Sequence, residues 1–309
     1  MATRTQTLTV VIATYTRALS LKHCLHSLTH QSDRIFDVLI IDGGSTDETK
    51  HVVHTFRKKL TITFIVDTTP LLSHIRDMGW MQAKGDIVAS IDDDVVVDTD
   101  WVAHIKQGFR GIRGVGGITG PTVVPEPLLI QRDVFFFHTT QHWFWKRVAS
   151  LYFFLFMNGA RFEIGNIYHS GAWSPGSNFP QSKLIKKPIA VDYLEACNFA
   201  VRKNVIRHIG GYDLGYTKTS EWCEVDLAFR IRKAGYTLLF DPSVSVEHHV
   251  SIGGVFDRRT FPLHRLTNFL RFYVKTYYPK SFIGWIQFGL YVLFISGYYV
   301  ARMLKKARG

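Results

Sequence analysis

Apolar runs of four to six residues alternate with stretches of helical spacing through the first third of the chain. Leu8–Ala13, Val38–Ile41, Thr61–Val66 and Ile87–Ile91 are too short and too continuously apolar for amphipathic helices, so the pattern predicts buried strands. Between them, Ala18–His30 repeats leucine at helical spacing (Leu21, Leu25, Leu28). Asp47–Lys58 follows a serine and a threonine that suit an N-cap, and Leu71–Ala83 ends at Lys84-Gly85. Strand and helix in alternation predict parallel βαβ units with right-handed crossovers. Thr119–Ala190 is irregular, and its Asp133–Met157 stretch is dense in Phe and Trp, which fits either a buried helix pair or a membrane-facing surface. Val191–Val250 returns to α/β character. His264–Tyr278 then sets Arg265, Asn268, Arg271 and Lys275 on one helical face and six apolar residues on the other. Phe282–Ala301 is almost wholly apolar and just reaches the length of a spanning helix.

Length and composition narrow the reading. The chain has 309 residues, 46% of them hydrophobic, enough for a large core and unlike a disordered segment. Met1–Thr7 is polar and Leu8–Ala13 is too brief for a signal h-region, so no signal peptide is expected. The three cysteines, Cys24, Cys197 and Cys223, are widely spaced and odd in number. They read as reduced core residues of a cytosolic compartment rather than a disulfide framework. The formal charge of +12 points to an anionic partner. Its basic residues gather at 183–187, 202–207, 258–280 and 302–308 among aromatics, a mixture suited to anionic lipid headgroups. Single-stranded nucleic acid is the rival reading of the same mixture. Because basic residues flank Phe282–Ala301 on both sides, the positive-inside asymmetry is absent. A tail lying on or dipping into the cytoplasmic leaflet is favoured over a single span.

In parallel sheets ligands gather beyond the carboxyl ends of the strands, and three of the four predicted strand exits carry an aspartate. Asp92-Asp93-Asp94 is the strongest signal. On an extended segment residues i and i+2 point the same way, so Asp92 and Asp94 can offer hard oxygen ligands to Mg²⁺ or Mn²⁺ shared with a diphosphate. The bland alternative is a solvated acidic turn. Asp42 in Asp42-Gly43-Gly44-Ser45-Thr46-Asp47 can accept from a base or ribose, with glycines that admit a ligand to the backbone. Arg76 can clamp phosphates or serve as a salt-bridge partner. Glu224 and Asp226 open a helix where acids are favoured in any case. His248, after Pro242, can complete a metal site.

In this order and spacing the motifs resemble glycosyltransferase family 2. The resemblance is carried by Ala13-Thr14-Tyr15-Thr16-Arg17, Asp42–Asp47, Arg76-Asp77-Met78-Gly79 with Ala83-Lys84-Gly85-Asp86, and Asp92-Asp93-Asp94. It continues through Ala196–Arg202, Gly210-Gly211-Tyr212-Asp213, Glu224-Val225-Asp226-Leu227 with Arg230, Ala234-Gly235-Tyr236, and Pro242 with His248. It covers roughly residues 8–250. It implies a GT-A fold, a mixed α/β sheet flanked by helices, with a nucleotide-sugar half at 1–118, an acceptor half at 119–255 and a helical membrane-associating tail at 256–309. It also implies an inverting transfer from a UDP-, GDP- or dTDP-sugar to an acceptor hydroxyl, on a lipid-linked glycan or glycolipid. The donor would be held by Ala13, Thr14, Tyr15, Arg17, Asp42, Arg76, Asp92 and Asp93. Asp92, Asp94 and His248 would hold Mg²⁺ or Mn²⁺, and Glu224 would be the base. Two departures stand out. Gly43 replaces a second aspartate, and Cys223-Glu224 replaces Glu-Asp, so a one-residue shift would make Asp226 the base. A polyprenyl-phosphate glycosyl synthase, which needs no base, remains a variant. A basic nucleic-acid binder and a nucleotide-sugar binder without turnover are the rivals from other classes.

Overall fold

The computed structural model describes residues 6–69, 71–112, 114–125, 142–159, 163–174, 182, 184–218, 220–251 and 263–307. The four predicted strands form as β1 (Leu8–Thr14), β2 (Phe36–Asp42), β3 (Ile62–Val66) and β4 (Ile87–Asp92), and three predicted helices as α1 (Ala18–Leu28), α2 (Thr49–Phe56) and α3 (Leu72–Gln82). Alternation within each strand sends residues to opposite faces. Leu8, Val10 and Ile12 pack under α1 and α2, while Val11 packs under α3. Both faces are covered, which is why these strands read as continuous apolar runs. Gly79 lets α3 approach β1, since a Cβ there would sit 2.5 Å from Val11 Cγ1.

After β4 come β5 (Val95–Val97), α4 (Trp101–Gly111), β6 (Val115–Thr119), β7 (Thr122–Val123), α5 (Trp143–Phe156), β8 (Ile189–Ala190) and β9 (Asn198–Arg202). The chain continues through α6 (Lys203–Ile209), α7 (Cys223–Lys233), β10 (Thr237–Phe240), β11 (Val246–His248), α8 (Leu263–Arg271) with a π-helical turn Phe272–Tyr277, and α9 (Phe282–Ala307). The main sheet has the order β3-β2-β1-β4-β9-β6-β10-β8, and a second sheet has the order β5-β11-β7. β1 to β4 run parallel, and β9 is antiparallel to both β4 and β6. The sheet is continuous through β6, which lies across the boundary expected at residue 118, and both faces of the core draw on strands from either side of it.

Two stretches of the second half divide between core and surface. The aromatic stretch Asp133–Met157 begins outside the described residues; its described part, α5, buries Phe153 and Phe156 but leaves Trp143 72% and Phe154 71% exposed. The predicted amphipathic helix at 264–278 forms as α8 and its π-helical turn, with its apolar face turned into the core. Phe269, Phe272 and Tyr273 are buried in the core, while Arg265 pairs with Glu221 and both Arg271 and Lys275 pair with Asp213. Its cationic face is therefore spent on acids of its own protein. The exposed apolar surface belongs instead to α5 and α9, which meet through Tyr152 and Phe156 against Tyr291 and Phe294. Among the described residues no helix is long and apolar enough to cross a membrane.

Candidate active site

The chain runs outward from β1 to β3 and then returns to place β4 on the other side of β1. The carboxyl ends of β1, β2 and β4 thus border a topological switch point, where parallel α/β sheets form ligand crevices. Thr14, Asp42 and Asp92 are the last residues of these strands, one step earlier than a reading of exposed exits implies for the two aspartates. At the β2 end Asp42 is fully buried. Its Oδ1 accepts from the Ser45 amide and hydroxyl (3.0 and 2.5 Å), whereas Oδ2 is buried without a partner. A buried carboxylate oxygen left unpaired is costly, so this atom is suited to a ligand hydroxyl or amide. Gly44 forms the turn at φ +89°, and a Cβ there would lie 2.9 Å from Thr68 Cγ2.

The three adjacent aspartates diverge. Thr14 Oγ1 donates to Asp93 Oδ2 (2.7 Å), and Arg17 Nη1 donates to Asp93 Oδ1 (2.9 Å) and Asp94 Oδ2 (3.1 Å). Burial and the Asp94 charge push the Asp93 carboxyl up to about 7 against these donors. Asp94 Oδ2 also accepts from the Ser251 amide and hydroxyl (3.1 and 3.2 Å), and Asp94 Oδ1 stands 3.1 Å from His248 Nε2. Although burial opposes it, His248, Arg17 and the Ser251 amide hold Asp94 below the usual carboxylate range. Burial works against a charged His248, but contact with Cys197 and Asp94 outweighs it and raises the imidazole. Asp92 alone keeps an accessible edge, and Arg76 Nη2 donates to its Oδ1 at 3.1 Å.

Strand register delivers the remaining groups. β11 pairs antiparallel with β5, His248 opposite Val95, which brings the histidine to Asp94. β9 pairs antiparallel with β4, Asn198 opposite Ile91, so Cys197 arrives beside Asp92. Asn198 pins this corner. It accepts from the Trp101 indole (3.0 Å) and donates to the Val244 and Pro121 carbonyls (2.8 and 3.3 Å). Among the described residues, ligand atoms of Asp92, Cys197 and His248 lie within 4.8 Å of one another, and this donor set fits a divalent cation. Asp94 lies outside that group. Cys197, read from sequence as a core residue, is the member that motif spacing missed.

The two candidate bases differ in their surroundings. Glu224, on the first turn of α7, forms an ion pair with Arg76, and each side chain is only 9% exposed. Asp226 faces the other way, accepting from Arg230 Nε (2.7 Å) and Thr276 Oγ1 (2.6 Å). Arg230 also holds the Ile209 and Gly211 carbonyls, so Asp226 belongs to a clamp joining α7 to the end of α6. Trp222, just before α7, sits at φ +78° and is held there by stacking on Phe272. Strain of this kind survives only where its surroundings fix it.

Residues 9–115 match the family model described as Glycosyl transferase family 2. Over this stretch, about a third of its length, the chain is similar to glycosyltransferase family 2 domains. The validoxylamine A glucosyltransferase of Streptomyces hygroscopicus subsp. jinggangensis is 31% identical over 108 residues, 34% of this chain and 26% of that protein. The N-acetylglucosaminyl-diphospho-decaprenol L-rhamnosyltransferase of Mycobacterium tuberculosis is 27% identical over 258 residues, 79% of this chain and 76% of that protein. The fold is that of the mannosyltransferase PcManGT from Pyrobaculum calidifontis, solved with GDP-Man and Mn²⁺. The TM-score is 0.56 at 17% identity, covering 87% of this chain and 64% of that one. The chain thus spans about a quarter of the first relative and under two thirds of the mannosyltransferase. The family 2 match holds Ala13 to Arg17, Asp42, Arg76 and Asp92 to Asp94; Cys197, Glu224 and His248 lie beyond it and join by the strand and helix contacts above.

Proposed function

We propose that the protein is an inverting glycosyltransferase that moves a sugar from a nucleoside-diphosphate sugar to a hydroxyl of a lipid-linked glycan. The carrying observation is the orphaned Asp42 Oδ2 at one end of a crevice whose other end holds the Arg76–Glu224 pair. Asp42 accepts from the nucleoside, with Ala13, Thr14 and Tyr15 forming the wall beside it. Arg17 and Asp93 brace that wall, and Arg76 directs the diphosphate. Asp92 and His248, with Asp94 alongside, would hold Mg²⁺ or Mn²⁺, which would supply positive charge against the leaving diphosphate. Glu224 accepts the proton of the acceptor hydroxyl as that oxygen bonds to the anomeric carbon. The bond from that carbon to the diphosphate oxygen breaks on the opposite face, and the centre inverts.

The lipid-linked acceptor is supported by the name of the M. tuberculosis relative and by the exposed apolar face of α5 and α9. On that face Trp143, Phe154, Phe282 and Leu293 are each more than 70% exposed, with Lys146, Arg147 and Lys280 nearby in sequence. This composition suits docking on the anionic cytoplasmic leaflet without crossing it.

The test is thermal stability and nucleoside-diphosphate release across a panel of UDP-, GDP- and dTDP-sugars, with and without Mn²⁺. Metal-dependent stabilisation by one donor is the expected result. No response to any donor under either condition overturns the reading.

A further inference from the structure

Glu224 sits on the first turn of α7, and the backbone leading into that turn is held in an unusual shape. Lys218 (φ +55°), Ser220 (φ +54°) and Trp222 (φ +78°) all lie in the left-handed region, which side chains other than glycine disfavour. For a residue as bulky as Trp222 this conformation needs surroundings that hold it. The holding groups come from α8 and the residue after it. Arg265, Asn268, Phe269 and Phe272 follow the i, i+3, i+4, i+7 spacing of one helical face. Arg265 Nε donates to Glu221 Oε1 at 3.0 Å. Asn268, 2% exposed, spends both ends of its amide on Thr217: Oδ1 accepts from the Thr217 amide and Nδ2 donates to its carbonyl, each at 3.2 Å. The Trp222 ring stacks on Phe272, with centroids 5.5 Å apart, and tilts against Phe269 at 5.0 Å. On the other side Ser220 Oγ, fully buried, accepts from the Ser73 amide and donates to the Ser73 hydroxyl, each at 3.1 Å. The same backbone is thus tied to α3, the helix that carries Arg76.

We propose that α8 is the positioning element for Glu224, and that Trp222 is the residue through which it acts. The Trp222 carbonyl accepts from the Asp226 amide at 2.9 Å, and the Ser220 carbonyl from the Cys223 amide at 3.0 Å, so both residues fix the start of α7. Glu224 stands two residues past Trp222. Turning that backbone out of the left-handed region re-aims the first turn and the carboxylate with it. A stretch whose sequence suits a lipid surface therefore serves the acceptor side of the crevice. The donor side does not depend on it in this way, since Asp42, Arg76 and Asp92 lie on β2, α3 and β4. The clasp governs transfer and leaves donor binding alone. This assignment rests on Glu224 being the base.

Turnover is read as nucleoside-diphosphate release from the panel of UDP-, GDP- and dTDP-sugars, and donor binding by calorimetric titration with the sugar that responds. Trp222→Ala is expected to lose roughly 10- to 100-fold in kcat, as a misplaced catalytic group does, with donor affinity unchanged. Trp222→Phe keeps a ring on Phe272 and restores most of the rate. A structural role alone lowers the folded fraction of Trp222→Ala but leaves turnover per folded molecule at the wild-type value, and that result overturns the proposal. So does a donor affinity that falls as far as kcat. Hydrogen exchange on the unliganded protein answers without a substrate. Amides of residues 222–226 exchange faster in Trp222→Ala while those of β1 to β4 do not, and equal exchange at 222–226 overturns the clasp. Should Trp222→Ala fail to fold, Arg265→Gln, at a side chain 26% exposed, decides in its place: slower turnover at unchanged donor affinity supports the clasp, and wild-type turnover overturns it. Glu224→Gln in the same assay separates the two failures. Glu224→Gln at the wild-type rate sinks the base assignment, whereas Trp222→Ala at the wild-type rate beside a slow Glu224→Gln sinks the clasp alone.

Discussion

Arg76 on α3 and Glu224 on α7 form an ion pair in which each side chain is only 9% exposed. Arg76 also holds Asp92, so one guanidinium ties the candidate base to the last residue of β4. Asp226, two residues on, is engaged by Arg230 and Thr276 instead. The two acids should therefore fail differently. Glu224→Gln is expected to keep donor-induced stabilisation and lose roughly 10²–10⁴ in turnover, the worth of a positioned base. Asp226→Asn is expected to lose roughly 3 kcal/mol of stability, as a broken buried pair does, with turnover of the folded fraction near wild type. Urea unfolding and kcat on both variants check this, and the reverse pattern would move the base to Asp226.

Asp42 offers one buried oxygen with no protein partner. Hydrogen bonds to charged groups contribute about 1.5–3 kcal/mol. Asp42→Ala is therefore expected to weaken donor binding by roughly 10- to 100-fold, with kcat at saturating donor much less affected. Calorimetric titration of the donor measures the loss, and unchanged affinity would remove Asp42 from the site.

Asp213 links the core to the π-helical turn after α8. Burial raises its pKa, but Lys275, the Gly215 amide and Arg271 outweigh it and hold the carboxyl at about 2. A carboxylate depressed in this way stabilises the fold above its unfolded pKa of about 4. That contribution is lost as pH falls through about 2. Melting temperature followed from pH 5 to pH 2 should fall in this window, and Asp213→Asn, starting less stable, should fall less steeply.

The α5–α9 face is expected to bind anionic vesicles. Phe154→Ser combined with Leu293→Ser should reduce co-flotation with phosphatidylglycerol vesicles severalfold while leaving the melting temperature near wild type, since both side chains are mostly exposed. Equal flotation of the variant and wild type would remove this face from membrane docking.

The parallel half of the sheet was legible because β1, β2 and β4 are largely buried on both faces, and β2 and β4 end on acids that turn chemistry does not require. Asp42 and Asp92 could be selected on that ground alone. The partners of those acids were not legible. Cys197 lies within the Ala196–Arg202 motif but read as a core residue, and only the antiparallel register of β9 on β4 sets it beside Asp92. The expectation that Asp92 and Asp94 aim together followed from strand alternation. It did not anticipate that Arg17 and Ser251 would draw Asp94 aside. The helix at 264–278 had the periodicity of a surface helix, because a helix docked on acids of its own protein presents the same pattern as one docked on lipid headgroups.

The small sheet β5-β11-β7 has a bearing on the order in which the protein is made. Residues 9–115 are made before the rest of the site, carrying three adjacent carboxylates with Arg17 and Arg76 of the site's cations beside them. His248 and both donors of Ser251 come more than a hundred residues later, delivered by β11. Until that strand docks, the acidic corner is a focus of repulsion rather than a binding site. A nascent chain stopped before residue 246 would therefore carry Asp42, Arg76 and Glu224 but lack the His248 and Ser251 contacts that complete the acidic corner.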